Sequence, residues 1–118
     1  GIQEEKDFAI LTNEISKAAF GKTVQEYKQF KGLSKPNQNL RDHMTDWELI
    51  FNMIGEKATT DITKTRDAQS FDENKQAAQR GGQIAHHARR ELEQEVGKSV
   101  LSSENYLHLN AKKRLPKR

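Results

Sequence analysis

The sequence contains no cysteine, and this absence removes several kinds of chemistry at once. Without cysteine there is no disulfide, no iron–sulfur cluster, no thiolate nucleophile and no cysteine-ligated zinc site. The sequence also lacks the hydrophobic run of about 20 residues that a membrane-spanning helix needs. It has no secretory signal either. We therefore expect a soluble, intracellular protein.

Apolar residues are scarce. Hydrophobic residues make up 33% of the chain and aromatic residues 7%, whereas charged residues make up 31%. Even with the glycines counted, the apolar share lies below the ~45–50% of typical soluble domains. A chain of 118 residues supports one domain, so we expect a single domain with a thin core. Thin helical cores often gain burial from a second copy or a neighbouring domain.

Positive charge is concentrated at the C-terminus. Subtracting the five positive charges of residues 112–118 from the net charge of +3 leaves −2 for residues 1–111. The body is therefore near neutral, and the overall basicity is a poor indication of nucleic-acid binding. Basic tails are usually disordered and can bind nucleic acid non-specifically through counterion release, or they can be solvated ends without a role. The tail cations are Lys112, Lys113, Arg114, Lys117 and Arg118.

Apolar residues at three- and four-residue spacing predict helices along most of the chain. A stripe from Phe8 to Ala19 ends at Gly21, a suitable C′ glycine. Thr23 and Glu26 then form a capping box that begins a second helix. Residues 31–39 read as a connector, because proline, asparagine and glycine occur there.

The strongest amphipathic pattern follows a second capping box, formed by Thr45 and Glu48. We expect this third helix to be central to the core, because four large apolar residues fall at i, i+3, i+4 and i+7. These residues are Trp47, Ile50, Phe51 and Ile54.

The second half of the chain predicts further helices. We expect Gly81-Gly82 to break one helix and a last long helix to run from about residue 83 to residue 96, before Gly97. Ser102 or Ser103 can cap a final turn. The predicted fold is all-α, a compact bundle of about five to six short helices over residues 1–111, followed by a basic, disordered tail over residues 112–118. The sequence begins with Gly1 rather than Met, so we expect a piece of a longer protein.

Catalytic and metal-binding signatures are missing. The four histidines show no H-x-x-x-H or Glu-x-x-His spacing, and the adjacent His86 and His87 diverge by roughly 100° on a helix. No G-x-S-x-G or S-x-x-K motif is present. Gly81-Gly82 lacks the partners of a phosphate loop and is better explained by a tight turn or a close approach of helices. We expect no enzyme activity, no metal and no cofactor.

Two basic clusters are candidate nucleic-acid contacts. Residues 27–41 carry four cations with no acid among them, and two aromatic residues, Tyr27 and Phe30, lie in the same stretch. Lysines bind phosphates and aromatic rings stack on unpaired bases. The two rings are better explained as core residues, however, and the lysines are equally well explained as a solvated face. The first cluster consists of Lys28, Lys31, Lys35 and Arg41. The second consists of Arg89 and Arg90, diluted by three following glutamates.

Several segments, in order, resemble the C-terminal part of the bacterial DNA-damage-inducible protein D family. They are D-F-A-I-L-T-N-E-I, Y-K-Q-F-K-G-L, L-R-D-H-M-T-D-W-E-L, A-A-Q-R-G-G-Q-I-A-H-H-A-R and S-S-E-N-Y-L. The resemblance implies a cytoplasmic protein of the SOS response, which carries an upstream BRO-type domain associated with DNA binding. It also implies a role on recombinase filaments, with a RecA-type protein or its DNA as partner. The resemblance provides no catalytic residue.

Two functional hypotheses remain open. The first is a non-catalytic regulatory domain that contributes to DNA or recombinase binding. The Tyr27-to-Arg41 stretch and the basic tail favour it. The rival is a self-association module, a homodimer that supports an upstream DNA-binding domain. The low apolar share and the near-neutral body favour this rival.

Overall fold

The computed structural model describes residues 5–104, and helices account for most of this range. The elements are α1 (Glu5–Phe20), α2 (Val24–Phe30), a 3₁₀ turn (Leu40–His43), α3 (Asp46–Arg66) and α4 (Phe71–Val96). No strand occurs within the described range. The all-α class is confirmed, whereas the expected count of five to six helices is too high. The predicted turn beyond Ser103 and the basic tail lie outside the described residues.

Local sequence signals explain where the helices begin. The Thr23 hydroxyl accepts the Glu26 N–H at 3.1 Å while Glu26 Oε1 accepts the Thr23 N–H at 2.8 Å. Thr45 and Glu48 make the same reciprocal pair at the start of α3. Both predicted capping boxes are therefore confirmed, and each satisfies two backbone donors that the first helical turn leaves without partners.

Helix α4 runs unbroken through Gly81 and Gly82, so the predicted helix break is wrong. A Cβ on Gly81 would lie 2.1 Å from Thr59 Oγ1 of α3. A Cβ on Gly82 would lie 2.5 Å from Ala18 Cβ of α1. The glycines thus allow both helices to approach the α4 backbone closely. The alternative interpretation, a close approach of helices, is confirmed.

The core lies where α1, α3 and α4 meet and continues under α2 and the connector. It is small, as the composition predicts. Its buried members are Ala19, Phe20, Tyr27, Leu33, Leu40, Met44, Phe51, Ala85 and Val100. None of the helices in the described part of the chain is long and apolar enough to cross a membrane.

Helix α3 contributes less to this core than its sequence pattern predicts. Phe51 is buried and Ile54 is half-buried. Trp47 and Ile50, however, are 47% and 44% exposed. The buried side of α3 is centred on Phe51, Gly55 and the capping residue Glu48. The expectation that all four apolar residues face inward is therefore only half right.

Candidate binding site

Lys31, a member of the first predicted basic cluster, lies inside the protein. Its ammonium is 2.7 Å from Glu48 Oε1, and neither side chain is exposed. The same ammonium donates to the backbone oxygens of Ser102 at 2.7 Å and Glu104 at 2.9 Å. With these acceptors in place, Lys31 is a structural residue. The expectation that it belongs to a solvent-facing cluster is corrected.

The aromatic residues of that stretch separate into two environments. Tyr27 is fully buried, and its hydroxyl donates to Glu48 Oε2. Burial, and then the neighbouring Glu48 carboxylate, raise the pKa of Tyr27 far above its ordinary value. Phe30 is 37% exposed, and the Lys22 ammonium lies 4.5 Å from its ring centroid. Of these two rings, Tyr27 is therefore core, and Phe30 alone offers an aromatic surface to solvent.

Arg89, from the second predicted cluster, also points inward. Its Nε donates to Ala19 O at 3.0 Å, which satisfies a carbonyl near the end of α1. Its guanidinium pairs with Glu93 at 2.8 Å, and Arg90 pairs with the same carboxylate at 2.8 Å. This cluster ties α4 to α1, so Arg89 is corrected to a structural residue. Arg90 keeps a 55% exposed side chain but shares its charge with Glu93.

The pKa values around Glu93 follow from this packing. Burial opposes the charged form of Glu93, but the Val100 N–H and then the Arg89 and Arg90 side chains outweigh it and lower its pKa. Val100 N donates to Glu93 at 2.8 Å. Burial, followed by the charge of Arg89, lowers the pKa of His86. Glu93 therefore acts as a charged anchor for the segment after α4.

The other members of the first cluster remain at the surface. Lys28 is half-buried, and Lys35 is exposed. Arg41 Nη1 lies 2.7 Å from Glu56 Oε1, with the two side chains 44% and 43% exposed. Exposed ion pairs contribute little and separate readily, so this pair leaves Arg41 available to a stronger anion.

Lys28 and Arg41 line one cleft between α2, the connector and α3. The cleft has a volume of ≈ 390 Å³. Four amide residues line it, three from the connector and one, Asn52, from α3, and Glu56, the partner of Arg41, lines it as well. The amide residues are Asn37, Gln38, Asn39 and Asn52. Lys35 belongs to the same connector, where its backbone N–H donates to Gln38 Oε1 at 3.0 Å.

This combination of groups suits a polar, anionic ligand. Lysine and arginine bind phosphates, and asparagine and glutamine side chains pair with the edges of bases. Asn39 is partly committed, because its Oδ1 accepts the Arg41 N–H at 2.9 Å. Sequence reasoning missed Asn52, which comes from another helix and carries no local signal. The asparagines of the connector read in sequence only as turn residues.

Other predicted site residues are not placed. Lys112, Lys113, Arg114, Lys117 and Arg118 lie outside the described residues. Between residues 5 and 104, no group of three or more histidine, aspartate or glutamate side chains could hold a metal ion.

A family model described as the DinD C-terminal domain matches residues 1–105. No curated protein and no solved structure matches the chain.

Proposed function

This chain belongs to the family of DinD C-terminal domains, which are domains of DNA-damage-response proteins. We propose that it is a non-catalytic binding domain. Its role is to contribute to contacts with DNA or with a RecA-type recombinase filament, in the cytoplasm. The family resemblance supports the recombinase filament as the physiological target. The cleft of Lys28 and Arg41 supports a direct contact with the nucleic acid.

The observation that carries the proposal is the convergence of two predicted cations with four amides in one cleft. Lys28 and Arg41 bind the phosphates. The amides, Asn52 foremost, contact the base edges of an unpaired nucleotide. A single strand exposes the Watson–Crick edges of its bases, which pairing occupies in a duplex, so we propose a preference for single-stranded DNA. With few cations at the site, the contact is weak and adds to others made by the full-length protein.

The test is fluorescence anisotropy of a short labelled DNA, single-stranded, double-stranded or coated with recombinase, titrated at several salt concentrations. A chain ending at residue 111 removes the tail contribution. In that chain, Lys28→Ala with Arg41→Ala should weaken binding and reduce the salt slope by about 0.7 for each phosphate that the variant no longer neutralises. Asn52→Ala should weaken binding without changing the slope.

The matched control removes one exposed arginine and one exposed lysine that do not line the cleft, Arg80→Ala with Lys98→Ala. It should leave binding by the tail-less chain close to that of the parent. Equal losses of affinity in the cleft and control variants would mean that DNA binding depends only on the overall positive charge and not on the cleft. If all binding disappears with residues 112–118, the cleft proposal is wrong.

A second function, self-association, is favoured by a different observation. Ile50 and Met53, in the first half of α3, are 44% and 49% exposed. Large apolar side chains placed together on a surface often mark protein interfaces. This surface shares no residue with the cleft, so both functions can coexist.

A further inference from the structure

The outward side of α3 carries an ordered set of residues. Asp46, Ile50, Met53 and Lys57 follow one another at intervals of four, three and four residues, so they lie in one line along the helix. All four are exposed. The opposite side of the helix is the buried one, centred on Gly55. We call this line the outer face of α3.

The outer face is self-complementary when two copies are turned antiparallel. The midpoint between Asp46 and Lys57 lies between residues 51 and 52, and the midpoint between Ile50 and Met53 lies at the same place. A two-fold axis through that point brings Asp46 of one copy opposite Lys57 of the other. It also brings Ile50 opposite Met53. Such an interface is isologous, because each contact occurs twice.

We propose that the outer face of α3 binds a second copy of this chain in this antiparallel arrangement. The inference deepens the self-association candidate and rests on it, but not on the nucleic-acid cleft. Two ion pairs between Asp46 and Lys57 set the register, and Ile50 and Met53 supply the apolar contact. Within one copy, Lys57 pairs with Asp61 at 2.9 Å, so in the dimer its ammonium is shared between two carboxylates.

The flank of the outer face fits the same occupant. A surface depression of ≈ 460 Å³ runs beside Ile50, Met53, Ile54 and Ala58 and can receive apolar side chains from the second copy. A nucleic acid is a poor occupant, because the depression is lined by four apolar side chains and a single pair of opposite charges, and it has none of the amide groups that line the cleft. Trp47 is 47% exposed and stacks on Phe51 with ring centroids 5.6 Å apart. Trp47 lies at the N-terminal end of this flank, and in the antiparallel dimer it faces Ile54 and Ala58 of the second copy.

A single helix face is smaller than the interfaces of roughly 1,200 Å² or more found in stable complexes, so we expect a weak, concentration-dependent dimer. Sedimentation equilibrium of the whole chain measures it directly. Trp47 is the only tryptophan, and its emission should shift to shorter wavelength as the dimer forms. Ile50→Glu should raise the dimer Kd by at least about tenfold, because it buries an unpaired charge twice.

Charge exchange makes the test specific to the register. Asp46→Lys and Lys57→Asp, made separately, each place like charges opposite one another and should each weaken the dimer several-fold. The two together restore opposite charges and should recover most of the affinity. Ile10→Glu is the matched control: it places the same charge on a 39% exposed apolar residue of α1 that lines neither the depression beside the outer face nor the cleft. Its dimer Kd should be unchanged.

A chain that stays monomeric at the highest soluble concentration would overturn the proposal. So would a dimer that tolerates Ile50→Glu, or a double exchange that fails to recover affinity while circular dichroism shows folded protein. Binding of a short DNA that accommodates one copy should be unaffected by Ile50→Glu. Sedimentation can therefore refute the dimer, and DNA titration can refute the nucleic-acid cleft, each independently of the other.

Discussion

Lys31 and Glu48 form an ion pair of 2.7 Å in which neither side chain is exposed to solvent. Glu48 also accepts hydrogen bonds from the Tyr27 hydroxyl and from the Ser102 N–H. Lys31 holds the same C-terminal segment through the Ser102 and Glu104 carbonyls. One buried carboxylate and one buried ammonium thus connect the end of α2, the start of α3 and the chain after α4.

The buried pair should be strongly coupled. Lys31→Met leaves Glu48 charged without its ammonium, and we expect a decrease of about 3–5 kcal/mol in the free energy of unfolding. Glu48→Gln keeps the capping geometry but leaves Lys31 unpaired, and should cost a similar amount. The double variant should be destabilised clearly less than the sum of the two. Urea unfolding followed by circular dichroism gives all the values for this double-mutant cycle.

An exposed ion pair provides the comparison for that cycle. Lys57 and Asp61 are 2.9 Å apart with side chains 73% and 57% exposed. Lys57→Met should cost less than about 1 kcal/mol in monomeric protein. Additive effects at Lys31 and Glu48 would show that the two charges are solvated independently, contrary to the buried geometry.

Tyr27 should ionise only when the protein unfolds. Burial and Glu48 raise its pKa in the folded state, so the unfolded chain releases the phenol proton first. The free energy of unfolding should therefore fall as the pH rises above about 10, the ordinary tyrosine pKa. With Tyr106→Phe, Tyr27 is the only tyrosine. Its tyrosinate absorbance should then appear together with the loss of helical circular dichroism.

Tyr27→Phe with Tyr106 retained is the control for this alkaline transition. It removes the group that titrates late, so the fall in stability above about pH 10 should be shallower than in the parent chain. A tyrosinate signal from Tyr27 at its ordinary pKa in folded protein would contradict the burial of its hydroxyl.

Glu93 should contribute to stability at neutral pH and lose that contribution in acid. Its pKa is lowered in the folded state. The stabilisation is therefore present above the unfolded pKa of about 4.3 and is lost as the pH falls through the folded value. Glu93→Gln should be destabilised at neutral pH, by about 2–4 kcal/mol. The difference from the parent should shrink below about pH 4.

Urea unfolding at a series of pH values measures this difference. Glu91→Gln, at an exposed position on the same helix, is the matched control and should follow the parent chain throughout. A difference between parent and Glu93→Gln that stays constant into acid would mean that the carboxylate charge is not what anchors Arg89 and Val100.

Local chemistry makes part of this structure predictable. The capping boxes at Thr23 and Thr45 can be identified in the sequence because they need only residues three apart. Gly21 and Gly97 are likewise recognisable as helix-ending residues, because glycine readily adopts the left-handed conformation found there. Both have positive φ. Such signals depend on neighbours in sequence and do not require knowledge of the tertiary fold.

The buried charges are not predictable in the same way. Lys31 meets Glu48 only after the chain folds, and a lysine in sequence reads by default as a surface residue. Arg89 and Glu93 do offer a local signal, their i, i+4 spacing, but spacing cannot tell a buried pair from an exposed one. Two of the predicted nucleic-acid contacts are therefore misplaced. The cleft retains Lys28 and Arg41, whose convergence depends on how the connector packs on α3.

The glycine pair of α4 is the clearest case in which one sequence feature allows two structures. A missing Cβ suits a helix end and also suits a helix crossing, and only the packing decides between them. Gly82→Ala tests whether the glycine is needed for the close crossing of α1 and α4. At an exposed helical position this change stabilises by about 0.5–1 kcal/mol. Here the new Cβ would lie 2.5 Å from Ala18 Cβ and 2.7 Å from the Ile15 carbonyl oxygen.

We therefore expect Gly82→Ala to lower the free energy of unfolding by about 1–3 kcal/mol, because α1 must move away from α4. Gln83→Ala, at the exposed neighbouring position, should change it by less than about 0.5 kcal/mol. Urea unfolding of the two variants beside the parent separates the possibilities. A stabilising Gly82→Ala would mean that α1 does not sit against α4 at this point, and that the glycine is present for a reason other than close packing.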